Sequence, residues 1–295
     1  MIDVKELLQN IAVRLKKNPN CNSFLEARLI LAHALDVDVN KISIIDNIII
    51  DNQKIALVNN LVDSRVMGRP LAHLLKKREF YGEVFVVDEN VLDPRPDSET
   101  LIELVCEIFG NNLNQEKKIL ELGVGSGCLI ISLLNIFKNF QGIGIDVSKD
   151  ALKIAKENLI KFNLANRLEL LCSNMFQELP SSLKFDVIIS NPPYIPSQDI
   201  KKLQNEVANF EPKLALDGGE DGLDFYRIIA QNSAKFLNSE SNSSLNSLGR
   251  VIVEIGYHQA QEVIEIFKKN NFKFINHKKD LSGIIRVLDF EINAS

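Results

Sequence analysis

The chain has 295 residues, 45% of them apolar and 25% charged, with no tryptophan. That length exceeds one minimal core and accommodates two domains of ordinary globular composition. Its 34 basic and 39 acidic residues leave a net charge of -5, which argues against a nonspecific grip on nucleic acid and leaves room only for a local basic patch.

Cys21, Cys106, Cys128 and Cys172 are scattered, without a CxxC or metal-ligand spacing. They are expected as reduced thiols, three of them in apolar runs. His33, His73, His258 and His277 show neither triad nor metal spacing, so no metal is expected. The opening MIDVKELLQNIAVRLKK lacks the uninterrupted apolar core of a signal peptide, and no run approaches a membrane span. The expectation is a cytoplasmic protein with no membrane partner.

Residues 3 to about 75 carry three helical patterns. VKELLQNIAVRLKK is the first. Ser23, with Glu26 three residues on, predicts a capping box ahead of FLEARLILAHAL. Asp51 is a candidate cap for the third, which Gly68, Arg69 and Pro70 close. A small helical bundle over residues 1–76 suits a recognition or docking module. Residues 77–97 change character: Phe80, Val84, Phe85, Val86, Val87 and Val91 favour strands, and Asp88-Glu89-Asn90 favours a turn. A hairpin linker is expected there, followed by Pro94 and Pro96 around Arg95 and a helix from about Ser98 to Phe109.

Residues 98–295 form an α/β domain. The stretch Lys118 to Asp146 holds an apolar run, a glycine cluster, a helical pattern and a second apolar run ending in an acid, one βαβ unit of a parallel sheet. Gly123, Gly125 and Gly127 allow positive φ or close approach of a ligand, and Asp146 is placed to take two ribose hydroxyls. A dinucleotide fingerprint needs a glycine where Cys128 stands. Glu121, just ahead of the turn, disfavours a pyrophosphate and suits a ligand carrying a cationic amine. Ser148 caps the next helix; strands RLELLC and FDVIIS follow, then NPPY, a helix from LDFYRIIAQNSAKFL, the polar stretch 239–249 as a surface loop, strand VIVEI, helix QAQEVIEIFKKN and a final hairpin. The sum is a roughly seven-stranded mixed sheet with helices on both faces.

Asn191-Pro192-Pro193-Tyr194 stands at a strand end, where open α/β sheets bind ligands. The Asn191 amide oxygen and the Pro192 carbonyl are adjacent acceptors that suit a planar NH2 group. Tyr194 can stack on such a group or face a sulfonium charge. An adenine amine fits the same acceptors, so an adenine-N6 methyltransferase on DNA or RNA is an alternative, though it wants a basic groove and a base-flipping pocket. A non-catalytic docking protein is another. An oxidoreductase is disfavoured by Cys128 and Glu121.

Taken together, the segments Asp93-Pro94-Arg95-Pro96-Asp97-Ser98-Glu99-Thr100, Glu121 to Cys128, Asn191 to Tyr194, Glu211 to Leu216, Gly218 to Leu223 and Glu254-Ile255-Gly256 with Gln259 resemble the HemK/PrmC family, peptide chain release factor glutamine N5-methyltransferases. The resemblance implies a class I S-adenosylmethionine-dependent methyltransferase fold and methylation of the glutamine in the Gly-Gly-Gln motif of class I release factors. It implies Asn191, Pro192, Pro193 and Tyr194 as catalytic residues. It also implies a cofactor pocket of Arg95, Glu99, Glu121, Gly123, Val124, Gly125, Ser126, Gly127, Asp146, Val147, Asn174, Met175 and Asn191. The helical domain would help hold the release factor; no metal and no stable nucleic-acid partner are implied. This chain departs from the family pattern at His73 and Lys76, where tyrosine and glycine are usual, and at Val124, Asn174 and Met175.

Overall fold

The computed structural model describes residues 4–42, 50–110, 113–238 and 249–293. The chain divides into two compact units. One comprises Met1–Lys77 together with Gln204–Phe210; the other comprises Arg78–Leu203 and Glu211–Ser295. Most of the serine-rich stretch expected as a loop, residues 239–248, lies outside the described residues. Among the described residues no helix is long and apolar enough to cross a membrane.

The first unit is helical: α1 (Val4–Leu15), α2 (Ser23–Leu35), α3 (Asn52–Val66) and α4 (Leu71–Leu75), joined by a short helix from Asn205 to Phe210. Leu15, Ile30, Leu31, Val58 and Val62 form its core. The cap of α2 sits one residue before the expected Ser23. Asn22 accepts from the Leu25 N–H, and Glu26 reciprocates by accepting from the Asn22 N–H at 3.2 Å. Asp51 caps α3 as expected, accepting from Lys54 N at 2.7 Å. Helix α4 was not expected from the sequence; it follows Pro70, whose ring holds φ near the helical value. Arg65 is 3% exposed and joins Glu26 at 2.6 Å to Glu206 at 2.8 Å. This pairing draws residues from two distant stretches of chain into one core.

Lys76 ends α4 in the left-handed region, φ 53 and ψ 31. A side chain with a Cβ is strained there by about 1–2 kcal/mol, at the position where the resembling family favours glycine.

The second unit begins with β1 (Arg78–Phe80) and β2 (Glu83–Phe85), a hairpin. Its reversal is at Tyr81 and Gly82, both at positive φ, not at Asp88-Glu89-Asn90. Paired positive φ values match the twist of a two-residue hairpin turn. The Asp88 side chain instead accepts from Asn90 N at 2.9 Å, forming a local bend. A short 3-10 turn, Pro96–Ser98, leads into α5 (Glu99–Phe109).

Next come β3 (Lys118–Leu122), α6 (Cys128–Ile136), β4 (Gln141–Asp146), α7 (Lys149–Lys161), β5 (Leu168–Cys172) and β6 (Val187–Ser190). After α8 (Asn205–Phe210), which belongs to the helical unit, follow α9 (Asp224–Ser233), β7 (Arg250–Glu254), α10 (Ala260–Lys269), β8 (Phe272–Lys279) and β9 (Ile285–Ile292). The strands make one seven-stranded mixed sheet in the order β5-β4-β3-β6-β7-β9-β8, a Rossmann-like arrangement. The first five run parallel; β9 is antiparallel to both neighbours.

Alternation along the strands feeds two cores. Ile119, Val187, Ile189 and Ile252 pack with α5, α6 and α7, while Leu120, Ile188, Val251 and Val253 pack with α9 and α10. The chain leaves β3 outward to β4 and β5, then returns to place β6 on the other side of β3. That reversal opens a crevice beyond the strand ends.

Asn158 of α7 is fully buried and ties three segments together. Its Oδ1 accepts from Val86 N at 2.7 Å, and its Nδ2 donates to Val86 O and Ser126 O, both at 2.9 Å. Removing it strands three backbone groups.

Asn158→Ala should lower stability by about 2–4 kcal/mol, measured by urea unfolding followed by circular dichroism. Asn158→Asp should do no better, since a carboxylate cannot donate to two carbonyls; a loss under about 0.5 kcal/mol would show that water replaces the side chain. Lys76→Gly should raise stability by roughly 0.5–1 kcal/mol in the same assay, and a decrease would mean that α4 tolerates the left-handed lysine without strain.

Candidate active site

A cavity of about 330 Å³ lies at the carboxyl ends of β3, β4 and β6, wholly within the second unit. Its wall includes Arg95, Ser98, Glu121, Gly123, Val124, Gly125, Ser126, Asp146, Val147, Asn174, Met175, Asn191, Pro192 and Pro193. The structure thus brings together most of the side chains singled out in the sequence, although they span nearly a hundred residues.

The glycine turn is built by opposed demands. Gly123, Gly125 and Gly127 all have positive φ. A Cβ at Gly123 or Gly125 would meet nothing within 4 Å, whereas one at Gly127 would press on Ile131 at 3.0 Å and touch Ala155 at 3.7 Å. The first two therefore keep open the space beside the cavity, and Gly127 packs the turn onto its own helix. Val124 is buried, with its methyls against the Gly144 backbone.

Asp146 closes the turn. Its Oδ2 accepts from Gly125 N at 2.9 Å and its Oδ1 from Ser148 N at 2.8 Å. A carboxylate has about four acceptor positions, so two remain for hydroxyls of a ligand. Burial raises its pKa against the opposing pull of those backbone N–H groups.

Glu121 has a structural task as well. Only 2% exposed, it accepts from Ile130 N at 3.0 Å and so caps α6, whose N-terminal Gly127 has no side chain to do so. Burial pushes its carboxyl well above the usual range, opposed by the Ile130 N–H and reinforced by Asp146. Cys128 also lines the cavity, but burial pushes its thiol up to about 12, leaving it protonated and a poor nucleophile.

Three expected residues stand outside the cavity wall. Glu99 accepts from Tyr81 N at 2.9 Å and fixes the hairpin turn. Gly127 packs on α6 and α7. Tyr194 lies half-buried beyond the prolines, its hydroxyl pushed up to about 12 chiefly by burial. Asn174 is exposed at the rim, next to Met175 at φ 52. Arg95, about a third exposed, is ion-paired to Glu211, which is buried.

Asn191 is half-buried and donates from Nδ2 to Ser98 Oγ at 3.0 Å. In this arrangement the nitrogen faces Ser98 and Oδ1 is left as an acceptor. Pro192 is buried beside it. Glycines crowd the backbone that follows. A Cβ at Gly218 would come within 2.8 Å of Pro193 O and Tyr194 Cα, and one at Gly222 within 2.4 Å of Tyr194 O.

Gln259 had no role in the sequence reading beyond a pattern match. Its Nε2 donates to Tyr194 O at 3.0 Å and Gly222 O at 3.3 Å, while its Oε1 accepts from Gly256 N at 2.9 Å. One side chain thus joins three loops. Glutamine after a Gly-containing strand end is too common a pattern to have announced this. Among the described residues no cluster of three or more His, Cys, Asp or Glu could hold a metal.

Residues 97–218 match the family described as the methyltransferase small domain, and residues 6–75 match the PrmC N-terminal domain. The chain is 38% identical over 271 residues to a release factor glutamine methyltransferase of Thermodesulfovibrio yellowstonii, covering 92% of this chain and 93% of that protein. It is 36% identical over 302 residues to a bifunctional methyltransferase of Rickettsia prowazekii, covering 97% of this chain and 57% of that relative. The chain therefore spans little more than half the length of the Rickettsia protein. A methyltransferase from Pyrococcus furiosus shares the fold, with a TM-score of 0.51 at 16% identity over 82% of this chain and 98% of that one.

Gly125→Ala should weaken binding of S-adenosylmethionine, the cofactor that the family resemblance implies, by about tenfold or more, because its Cβ would enter the open space, while the left-handed φ of 52 lowers stability by about 1–2 kcal/mol. Calorimetric titration checks this, and an unchanged affinity would place the nucleoside elsewhere.

Proposed function

The chain belongs to the HemK/PrmC-like family of methyltransferases, and on that premise we propose that it methylates the side-chain amide nitrogen of a glutamine, that of the Gly-Gly-Gln motif of class I peptide chain release factors. The observation that carries this reading is the placement of Asn191: its Nδ2 is given to Ser98 at 3.0 Å, which leaves Oδ1 to accept, and the residue lines the cavity. An amide oxygen beside the Pro192 carbonyl makes two acceptors for the two hydrogens of one NH2.

The open space beside Gly123 and Gly125 and the unfilled acceptor positions of Asp146 fit S-adenosylmethionine. Gly123 and Gly125 would let its backbone-facing edge approach, Asp146 would take the ribose hydroxyls and Asn174 the adenine amine. Met175 and Val147 would flank the base, and Arg95 with its Glu211 partner would shape the mouth. When bound, this cofactor supplies an electrophilic methyl on a sulfonium.

The remaining work falls to the chain's own residues. The lone pair of an amide nitrogen is delocalised, and full loss of conjugation would cost about 18–20 kcal/mol. Only part of that need be met. Asn191 Oδ1 and the Pro192 carbonyl fix the NH2 plane and favour the out-of-plane lone pair, and their bonds strengthen as the nitrogen gains positive character. The nitrogen's proton becomes acidic once the fourth bond forms, so it leaves to water without a histidine base. A half-buried Tyr194 beside the prolines limits the slack in that loop. The helical unit, matched by the PrmC N-terminal domain, would hold the release factor.

Purified protein, methyl-labelled S-adenosylmethionine and unmodified release factor test the reading. Label is expected on the motif glutamine and absent from a Gly-Gly-Ala release factor; label only on duplex DNA or ribosomal RNA in parallel tubes would transfer the activity to an adenine amine. Asn191→Ala should lower kcat by about 10²-fold or more with S-adenosylmethionine affinity nearly unchanged. Collapse of cofactor binding instead would assign Asn191 to the cofactor pocket.

A further inference from the structure

Asn191 can offer its oxygen only if something holds its nitrogen. The holding group begins with Ser98, but Ser98 is itself held. Ser190 of β6 is in register with Val253 of β7, so Asn191 and Glu254 leave adjacent strands side by side. Glu254 is 2% exposed and Ser98, at the end of the 3-10 turn, is 3% exposed. The Ser98 and Asn191 side chains, themselves joined at 3.0 Å, both lie close enough to the Glu254 carboxyl to favour its charged form. Its second oxygen, Oε2, is buried with no hydrogen-bond partner among the described residues. The Glu254 carboxyl does not line the cavity; it lies behind Asn191 and Ser98, which do.

We propose that Glu254, together with Ser98, is a positioning residue that fixes the Asn191 amide with its oxygen toward the substrate and strengthens that oxygen as an acceptor. The inference rests on the role given to Asn191 above. Its chemistry is amide conjugation: an anionic acceptor drawing on the Nδ2 hydrogens shifts electron density onto Oδ1, as in any polarised hydrogen-bond chain. A neutral carboxyl draws less, and its own proton competes for Ser98 Oγ.

The fold keeps this group where a charge is unfavourable. Burial raises the Glu254 carboxyl to about 7, opposed by Ser98, Arg286 and Asn191 and reinforced by Asp97. The surrounding groups are Asp97 and Ser98 from the turn before α5, Cys128 of α6, Tyr194 from the loop after β6, Tyr226 of α9 and Arg286 of β9. Arg286 is committed elsewhere, to Asp97 at 2.9 Å and Asp280 at 2.8 Å. Tyr226 donates to the Glu254 backbone carbonyl at 3.0 Å, not to the carboxylate. A raised carboxyl means that folding favours the protonated form, so its contribution to stability is complete below the unfolded value near 4.5 and is lost as pH rises through about 7. Catalysis has the opposite dependence, because the anion is the better holder.

Glu254→Gln separates the two, since it keeps the shape and removes the charge. With the label assay on unmodified release factor, its kcat should fall about tenfold. Its S-adenosylmethionine affinity should stay within about twofold, and its melting temperature above pH 7 should be no lower than that of the parent protein. The parent's kcat should rise with pH through a midpoint near 7, and that limb should vanish in Glu254→Gln. Ser98→Ala should be slow as well, with Ser98→Thr restoring most of the rate. Parental kcat in Glu254→Gln would overturn the proposal; if Asn191→Ala were also fast, the reading of the site would fall instead.

A second measurement needs no substrate. In protein labelled with ¹⁵N at asparagine, the Asn191 Nδ2 signals, identified by their loss in Asn191→Ala, should move with a midpoint near 7 and stand still in Glu254→Gln. Signals unaffected by pH in the parent would refute the hold whatever the methyl acceptor is.

Discussion

The parallel pairing of β3 with β6 is the constraint on which the rest depends. Its register runs from Ile119 opposite Val187 to Leu122 opposite Ser190. The Ser190 hydroxyl seals the end by donating to Leu122 O at 2.8 Å. Because the two strands end together, the glycine turn after one and Asn191 after the other emerge into the same space, although about seventy residues separate them in sequence. A slip by one residue would reverse every side chain on β6 and turn Ser190 from the backbone it seals. Register thus acts on the chemistry directly: it sets where an acceptor stands relative to a cofactor cradle.

Around this point the chain substitutes backbone closeness for side-chain bulk. Gly218 and Gly222 let their loop lie against the Pro193-Tyr194 backbone, Gly256 lies against the Tyr194 ring, and Gln259 then bonds across these segments. The same economy appears at α6, where no residue caps the helix locally and Glu121, from the preceding strand, does so. Such polar groups are buried with their partners chosen in advance, which limits how far the loop can relax.

Much of this was legible in the sequence. Features set by local chemistry were clearest: the glycine turn, the acid ending β4, Ser148 and Asp51 as caps, and the succession of strands and helices. The resemblance to a known family joined them to a function. Errors came where two local signals competed. Asn22 and Ser23 are both good caps, and only the direction of Glu26 decides between them. Asp88-Glu89-Asn90 has stronger turn composition than Tyr81-Gly82, yet the pairing of Arg78 with Phe85 sets the reversal. Glu99 stood in the cofactor pocket only as the resemblance implied, and its carboxylate here accepts from the hairpin turn. Asn158, Glu254 and Gln259 were invisible in their roles for one reason: each acts through backbone or side chains at least 28 residues away in one or more of its contacts, and nothing local marks them.

The helical unit is not continuous in sequence, since Gln204–Phe210 completes it and Glu206 supplies the second acid to buried Arg65. On a ribosome the N-terminal helices emerge long before that acid. Until residue 210 is clear of the exit tunnel, Arg65 has Glu26 alone, and the unit waits in an unfinished form while the whole of β3 through β6 is synthesised. Order of synthesis and order of completion therefore differ in this chain: helices made before the sheet are completed only after β6.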